Sequence, residues 1–507
     1  MTNQVTIVRK DAFEKIRSAV NQTVDLIKPT FGPASNKVII AKVTHAMVVD
    51  DGVQIARDIE LADPVEHAIM KVVRETAIKT NDRVGDGTTG ALIMLQAIIE
   101  EIAKLPKPDG RKIEKELKAG LEECKKQLAK AAKPVKTKEE LLKVARVSFD
   151  NPEIAELIAD AWFKLGQDGV LTVDRSGTMK TTVELTEGIQ LSRGYISPYM
   201  ITNPQRMEGV IEKPYILVTD YRLTEASDVI NIMNQLAGKN ITNIVIIAEN
   251  VEGSALATLV INKMQGKFNA IAVSTPKDDT VALEDLALMI GAKVFSEKKG
   301  DKVDQAQISD LGRAERFISR RTESVIIGPR GSKSAITKSI NDLNMAIAME
   351  SNERIKSDIK KRIARFGNKV GVIKVGAPTE NEVNALRYKV EDAVNAVHAA
   401  FKGGVVAGGG IELANLSTDN VLLNAALKAP FRQLKLNCGI DEHRKLQKGE
   451  AINVVTGEIG DWQKVGVMDP VDVLTAQLES AVSIASLLVT TSGLIVEAPK
   501  HIQQEEE

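Results

Sequence analysis

Two long apolar periodicities meet at Val84-Gly85-Asp86-Gly87-Thr88-Thr89-Gly90, and this junction constrains the chain more than any other stretch. Ile69, Val72, Val73 and Ala77 lead into it at helical spacing; Ala91, Leu92, Leu95, Ile98, Ile99 and Ile102 lead out. Such a pattern demands two helices joined by a tight corner. A helix that starts on glycine and small hydroxyl residues presents unpaired N–H groups and a partial positive charge, which favour an anion such as phosphate. Glycines let the backbone approach closely and let N–H groups converge. Asp86 could then hold magnesium against phosphate oxygens. The same residues also fit an ordinary corner, with glycine as C-cap and threonine as N-cap.

At 507 residues the chain exceeds a single core, so two to four domains are expected. With 67 basic and 68 acidic residues the formal charge is -1, which carries no sign of a nucleic-acid or membrane-surface partner. Aromatics are only 3%, so the cores must be aliphatic and stacking platforms for single strands are not expected. Cys124 and Cys438 lie far apart and form no metal-spaced pair, a composition suited to a reducing compartment. No secretory or transit pattern opens the sequence, and no apolar run reads as long enough to cross a bilayer; the expected location is cytoplasmic.

In chain order, residues 10–30 read as an amphipathic helix ending near Lys28-Pro29, followed by the turn Thr30-Phe31-Gly32-Pro33. Residues 37–41 and 47–49 read as a strand hairpin, then Asp50-Asp51-Gly52 as a turn with carboxylates. A charged helix follows from about 111 to 133. From Pro134, helices over 139–144 and 154–165 give way to strands over 170–173 and 181–185. Between 188 and 365, strands at 215–219, 243–248, 270–274, 293–295 and 324–327 alternate with helices at 226–236, 254–264 and 280–290, an α/β layer; paired helices follow over 334–366. Val390, Val394, Val397 and Phe401 mark one face of another helix, with Asp392 off that stripe. Gly403 to Gly410 reads as a turn where a ligand could touch bare backbone, after which helical texture returns over 421–427 and 476–488. The two ends are therefore expected to form one discontinuous domain around an α/β insert. The acidic tail 503–507 reads as solvated and unstructured.

The Walker, zincin and serine-hydrolase motifs are all missing, and the five histidines show no ligand spacing. What remains is carboxylates beside glycine turns: Asp51, Asp86 and Asp392. Together they suit magnesium-assisted phosphoryl transfer to water, one acid holding the metal and another orienting the water. Taken singly, Asp51 is equally a turn residue and Asp392 a solvated helix face.

Thr30-Phe31-Gly32-Pro33, Asp51-Gly52-Val53, Gly85 to Thr89, Val390 to Ala393, Gly403 to Gly410 and Met468-Asp469-Pro470 occur in that order. Arg193 to Tyr199, Ala248 to Gly253 and Leu436-Asn437-Cys438-Gly439 add to the set. From about residue 5 to 500 the chain resembles the group I chaperonins, the GroEL type. The resemblance implies a multidomain α+β fold: a mainly helical, discontinuous equatorial domain (1–133 and 403–507), a small α/β intermediate domain (134–187 and 371–402) and an α/β apical domain (188–370). It implies an ATPase whose nucleotide touches Thr30, Gly32, Pro33, Asp86, Gly87, Thr88, Thr89, Gly409, Asn453 and Asp469. Asp86 would be the magnesium ligand, Asp392 would activate water on domain closure, and Asp51 would assist. The resemblance also implies ATP and magnesium as cofactors, with potassium as a further one if it contacts backbone oxygens. Tyr195, Tyr199, Met200, Ile230, Met233, Leu256, Val260 and Ile261 would form an apolar apical rim. That rim would hold non-native polypeptides and a GroES-type co-chaperonin, on a heptameric ring, single or double. Rival readings are a chaperonin-derived ring that only holds its partners, and a plain ATPase whose insert binds a metabolite.

The chain departs from the family pattern at several points. Asp50 replaces a lysine, which puts an anion near the expected phosphates. Gly90 replaces the third threonine after Gly-Asp-Gly, removing a hydroxyl. Met200 stands in for phenylalanine, Pro276-Lys277-Asp278-Asp279 for a glycine-containing apical segment, Gly367-Asn368-Lys369 for a Gly-Gly hinge, and a glutamate run for a Gly-Met tail.

Overall fold

A computed structural model describes residues 4–497 apart from 34–35, 42–45, 50, 150, 168, 177, 205, 276–279, 351, 367–368, 442–445 and 447–448. Asp50, the segment 276–279, the hinge residues Gly367 and Asn368, and the tail 503–507 lie outside the described residues. The chain divides into two units: residues 1–167, 171–183 and 373–507 form the first, and 168–170 with 184–372 the second.

The first unit opens with strand β1 (Gln4–Val8) and helix α1 (Arg9–Ile27), whose buried stripe Ile16, Val20, Val24 and Ile27 recurs at helical spacing. Pro29 ends regular helix, leaving a 3-10 turn over Lys28–Thr30. Strands β2 (Val38–Ala41) and β3 (Ala46–Val49) pair antiparallel. Three helices then start on aspartate caps: α2 (Gly52–Asp58) on Asp51, α3 (Pro64–Val84) on Asp63, and α5 (Gly110–Ala131) on Asp109. Between the last two, α4 (Thr88–Ala103) starts on glycine instead. Helix α6 (Lys138–Ser148) carries a capping box from Thr137 and Glu140, and α7 (Pro152–Leu165) is capped by Asn151. Strands β4 (Val170–Arg175) and β5 (Thr182–Leu191) follow. Gly188, expected at a boundary, lies inside β5, where the Val370 side chain fills the space a Cβ would need.

In the second unit, strands β6 (Gly209–Glu212), β7 (Tyr215–Thr219) and β8 (Arg222–Leu223) precede helix α8 (Ser227–Ala237). Then come β9 (Asn243–Ala248), β10 (Asn250–Val251), α9 (Gly253–Met264), β11 (Asn269–Ser274), α10 (Thr280–Ile290) and β12 (Val294–Phe295). β11, β9 and β7 run parallel, joined by crossover helices, and their near-continuous apolar runs match burial on both faces. β13 (Gly312–Ser319) extends the sheet antiparallel to β7, and β14 (Ser324–Pro329) and β5 continue it. Sequence periodicity missed β13 because Arg313, Glu315 and Arg316 interrupt its apolar positions; Arg316 is held by Glu212 on β6 at 2.6 Å. Helices α11 (Lys333–Met349) and α12 (Glu353–Phe366) pack together, and Arg362 on α12 grips the buried Asp285 on α10 through three hydrogen bonds.

Strand β15 (Lys369–Val375) returns the chain to the first unit and leads to the long helix α13 (Glu380–Gly403). The expected turn over 403–410 is shorter than the sequence reading. Gly403 ends α13, and Val405–Ala407 form strand β16, antiparallel to β19 (Met468–Pro470), so only Gly408 to Gly410 turn. Between these strands lie α14 (Ile411–Asn415), α15 (Val421–Leu427), α16 (Ala429–Asn437), the hairpin β17 (Glu450–Ile452) and β18 (Ile459–Asp461), and α17 (Trp462–Val465). The chain closes with α18 (Val471–Thr490) and β20 (Gly493–Glu497), which pairs with β1.

Buried apolar residues of the first unit form two clusters. One gathers α1, α3, α4, α5 and α18 around Val24, Leu95, Ile98 and Leu478. The other gathers α6, α7 and α13 around Trp162, Val390, Val394 and Val397. The Trp162 indole N–H donates to the Val394 carbonyl at 3.1 Å, and its ring stacks on His398. Helix α18 corrects one sequence expectation: it is long and apolar enough to cross a membrane by length and composition. Most of it is buried inside the unit, against α3, α4 and α5, as a core helix is.

Candidate functional site

The corner between α3 and α4 is built as its residues require. Gly85 ends α3 in the left-handed region at φ 67°, its N–H donating to Asn81, and Gly87 begins α4 at φ 78°. Because Gly87 has no side chain, nothing caps α4 from its N-cap position. The N–H of Gly87 turns back to the Asp86 carboxylate at 2.5 Å. Among the described residues, the first-turn amides of Thr88, Thr89 and Gly90 take no hydrogen-bond partner. The start of α4 is thus a set of unsatisfied donors at the positive end of a sixteen-residue helix.

Other elements of the first unit converge on this corner. The start of α2 abuts that of α4: a Cβ on Gly52 would lie 2.3 Å from the Thr89 hydroxyl and 3.3 Å from that of Thr88. Asp51, just before, accepts from the amides of Val53 and Gln54 and so holds α2 in place. From the C-terminal part, Asp469 on β19 accepts from the Gly410 amide at 3.2 Å. On the other side, the Asn395 amide of α13 lies against Gly85, its nitrogen 3.4 Å from the Gly85 carbonyl. Asp392 is three residues earlier on the same helix, one turn away on the same face, and is half-buried.

The carboxylates sense one another. Burial pushes the Asp86 carboxyl up to about 6, with the negative charges of Asp469 and Asp51 adding to the shift. Asp51 is raised by burial against the lowering effect of its two amide donors and Arg57, and Glu391 on α13 raises it further. Asp469 is raised by burial, partly offset by the amides of Gly410 and Gly409. Asp51, Asp86 and Asp469 each keep some exposed surface while losing most of their hydration, which describes the floor of a recess rather than a convex surface. Crowded acids facing helix donors suit a cation–anion pair: the cation relieves the repulsion and the anion takes the amides. Among the described residues, no group of three or more acidic, histidine or cysteine side chains forms a ready-made metal cage, so a cation here must complete its shell with the anion's oxygens and water.

The Thr30–Pro33 turn joins the same neighbourhood through Leu434 on α16. Its two methyls stand 2.3 Å from a Cβ placed on Gly32 and 3.2 Å from one placed on Gly409, so a single side chain separates the two glycine turns. Asn437, at the end of α16, donates to the carbonyls of Lys28 and Phe31 at 2.9 and 2.8 Å and fixes the turn's shape. The Thr30 hydroxyl is buried and donates to the Ile27 carbonyl at 2.8 Å; Pro33 is exposed. Asn453 sits in the β17–β18 turn, where its side-chain Oδ1 accepts from the amides of Val455 and Thr456.

On the second unit the eight expected rim residues divide. Tyr199 is 66% exposed, Ile261 52% and Ile230 42%, with Leu256 and Val260 half-buried beside them. Tyr195, Met200 and Met233 are buried, which corrects their assignment to an exposed rim. Tyr195 is bridged to Val273 along β11, and its N–H donates to Arg320. Met200 is fully covered: its sulfur accepts from the Ala272 amide, and its carbonyl takes the Lys263 ammonium at 2.7 Å. Met233 shares the inner face of α8 with Val229, Ile232 and Leu236, at the spacing that faces a sheet. Met264, 71% exposed, was not foreseen and lies on the outer face of α9 with Ile261.

Sequence reasoning also missed Leu434, Asn395 and Gln477. Gln477 alone carried a readable signal, a polar residue at a core position of the stripe Leu474, Ala481, Ile484 and Leu488.

A family model described as the TCP-1/cpn60 chaperonin family matches residues 24–419. Two solved structures share the fold, both of the chaperonin gp146 from the bacteriophage EL 2 (Pseudomonas aeruginosa), in the presence of ATP-BeFx. Crystal form II matches with a TM-score of 0.70 at 20% identity, over 98% of this chain and 100% of that one. Crystal form I matches with a TM-score of 0.63 at 21% identity, over 97% and 99%.

Proposed function

The chain belongs to the TCP-1/cpn60 chaperonin family, and from that membership we propose that it is an ATP-driven folding chaperone of the group I type. The observation that carries this reading is the recess at the start of α4, where uncapped helix donors face Asp86, Asp51 and Asp469. Nothing in a purely structural corner calls for three acids raised by burial, Asp86 also by the charges of the other two, beside unsatisfied amides.

In this reading the amides and hydroxyls of Thr88 and Thr89 cradle the phosphates, with Gly32 and Pro33 on the opposite turn and Thr30 shaping that turn from within. Gly409 and Asp469 meet the nucleoside side of the ligand. Asp86 is the residue that would hold magnesium, which when bound neutralises phosphate charge and orients the terminal group. Asp392 accepts a proton from the attacking water, and Asp51 supports it by fixing α2 and by its charge. Potassium on backbone oxygens is the third cofactor of this reading. Tyr199, Ile230 and Ile261, flanked by Leu256 and Val260, bind exposed apolar segments of non-native chains, since such contacts are non-directional and tolerate many sequences. A GroES-type co-chaperonin takes the same surface. Assembly into a heptameric ring multiplies these weak contacts, and ATP shifts the ring by binding one conformation more tightly than the other.

Negative-stain imaging with and without ATP, together with phosphate release in magnesium buffer, tests the proposal. Rings that change shape with ATP and release phosphate are expected. A small non-annular particle, or a ring that leaves ATP intact, overturns it.

A further inference from the structure

Gln477 lies on α18, directly over the start of α4. Its side chain fills the space above two glycines at once: a Cβ on Gly87 would stand 2.4 Å from Nε2, and one on Gly90 would stand 2.9 to 3.1 Å from Nε2, Cδ and Oε1. Gln477 is 6% exposed and, among the described residues, its side chain bonds to no protein group, while its amide atoms are not fully sealed from solvent. A largely covered amide with no protein partner keeps its donor capacity for water or a ligand. It lies against the first turn of α4, whose start has no side-chain cap. A side chain at position 90 could not coexist with it unless the glutamine moved.

We infer that Gln477 is a ligand-binding residue of this recess, its Nε2–H donating to a terminal phosphate oxygen of the nucleotide. The amide reaches across from α18 to supply the donor that Gly90 lacks where the family carries a third threonine hydroxyl. Glycine at 90 and glutamine at 477 are thus one device: the first clears the space and the second fills it with a donor. This inference rests on the nucleotide reading of the site.

The test uses the full-length chain in magnesium buffer, with ATP or adenosine displacing a fluorescent ATP analogue. Gln477→Met keeps the volume and removes the donor. It should weaken ATP binding roughly tenfold, leave adenosine binding unchanged, and melt within about 2 °C of the parent. The paired variant Gln477→Ala/Gly90→Thr, which returns a hydroxyl from the α4 side, should bind ATP within about threefold of the parent, while Gln477→Ala alone should not. Equal ATP affinity in Gln477→Met and the parent overturns the inference and leaves the nucleotide site standing. Equal losses for ATP and adenosine assign Gln477 to packing alone and also overturn it. If Gln477→Met does not fold, the paired variant decides: recovery supports the inference, and affinity no better than Gln477→Ala rejects it. A parent chain that binds no ATP removes both the site and the inference.

Discussion

The recess of the first unit and the outer faces of α8 and α9 on the second break the usual burial rule in opposite directions. In the recess, ionisable groups lie where water is scarce: Asp86, Asp51 and Asp469 are all raised by burial. On α8 and α9, apolar groups lie where water is plentiful: Ile230, Ile261 and Met264 are exposed. Each arrangement is unfavourable for the isolated chain, and the two would be relieved by opposite kinds of ligand, a charged one in the first case and a greasy one in the second. Unfavourable placement that serves no packing purpose is the physical mark of function in both regions.

The comparison breaks most visibly at Asp392. Asp392→Ala should slow phosphate release by a factor on the order of 10² to 10⁴ while ATP still binds; near-parental turnover would remove Asp392 from its role. Within the second unit, burial and exposure should separate cleanly. Met233→Ala should cost about 2–5 kcal/mol in denaturant unfolding, as a core truncation does. A value near zero would mean that α8 does not pack as described.

Asp86 sharpens the contrast through pH. Its folded-state carboxyl titrates near 6, above the ordinary 3.8, so between about pH 4 and pH 6 the folded chain keeps a proton that the unfolded chain has released. Ligand-free stability contributed by this group is therefore fullest at low pH, falls as pH rises through that window, and stays reduced above it. Asp86→Asn should stabilise the ligand-free protein at pH 7, by up to about 3 kcal/mol, flatten that pH dependence, and weaken magnesium-dependent ATP binding. Unchanged melting at pH 7 would show that the carboxyl is not strained. The smallest effect on stability belongs to Ile261→Ser, expected within about 0.5 kcal/mol of the parent. Its loss should appear instead as several-fold weaker capture of a chemically unfolded chain in a light-scattering assay.

Much of this contrast was legible beforehand, though unevenly. The α3–α4 corner was readable because glycine, aspartate and threonine have few reasons to occur together between two apolar stripes. The strands β7, β9 and β11 were readable for the same reason: each is a local pattern with a local cause. Which of Tyr195, Tyr199, Met200, Ile230 and Met233 face outward was not, because a helix between a sheet and solvent shows one apolar stripe whether or not its outer face is also apolar. The division depended on contacts remote in sequence, such as the Ala272 amide on the Met200 sulfur and the Lys263 ammonium on its carbonyl. β13 was missed because its charges are paid for by a partner strand, with Glu212 lying 104 positions away from Arg316. Leu434 and Asn395 were invisible because nothing in their own neighbourhoods signals the glycines they meet.

The pairing of β1 with β20 and the packing of α18 on α3, α4 and α5 have a consequence during synthesis. The first helices to leave the ribosome lack their closing partner until translation has passed residue 490, so the recess at the start of α4, which Asp469 and Gln477 help to line, cannot be complete on a nascent chain. The protein must wait through almost its whole elongation with half-covered apolar helices, exposed to the same aggregation hazard from which its finished form would shelter others.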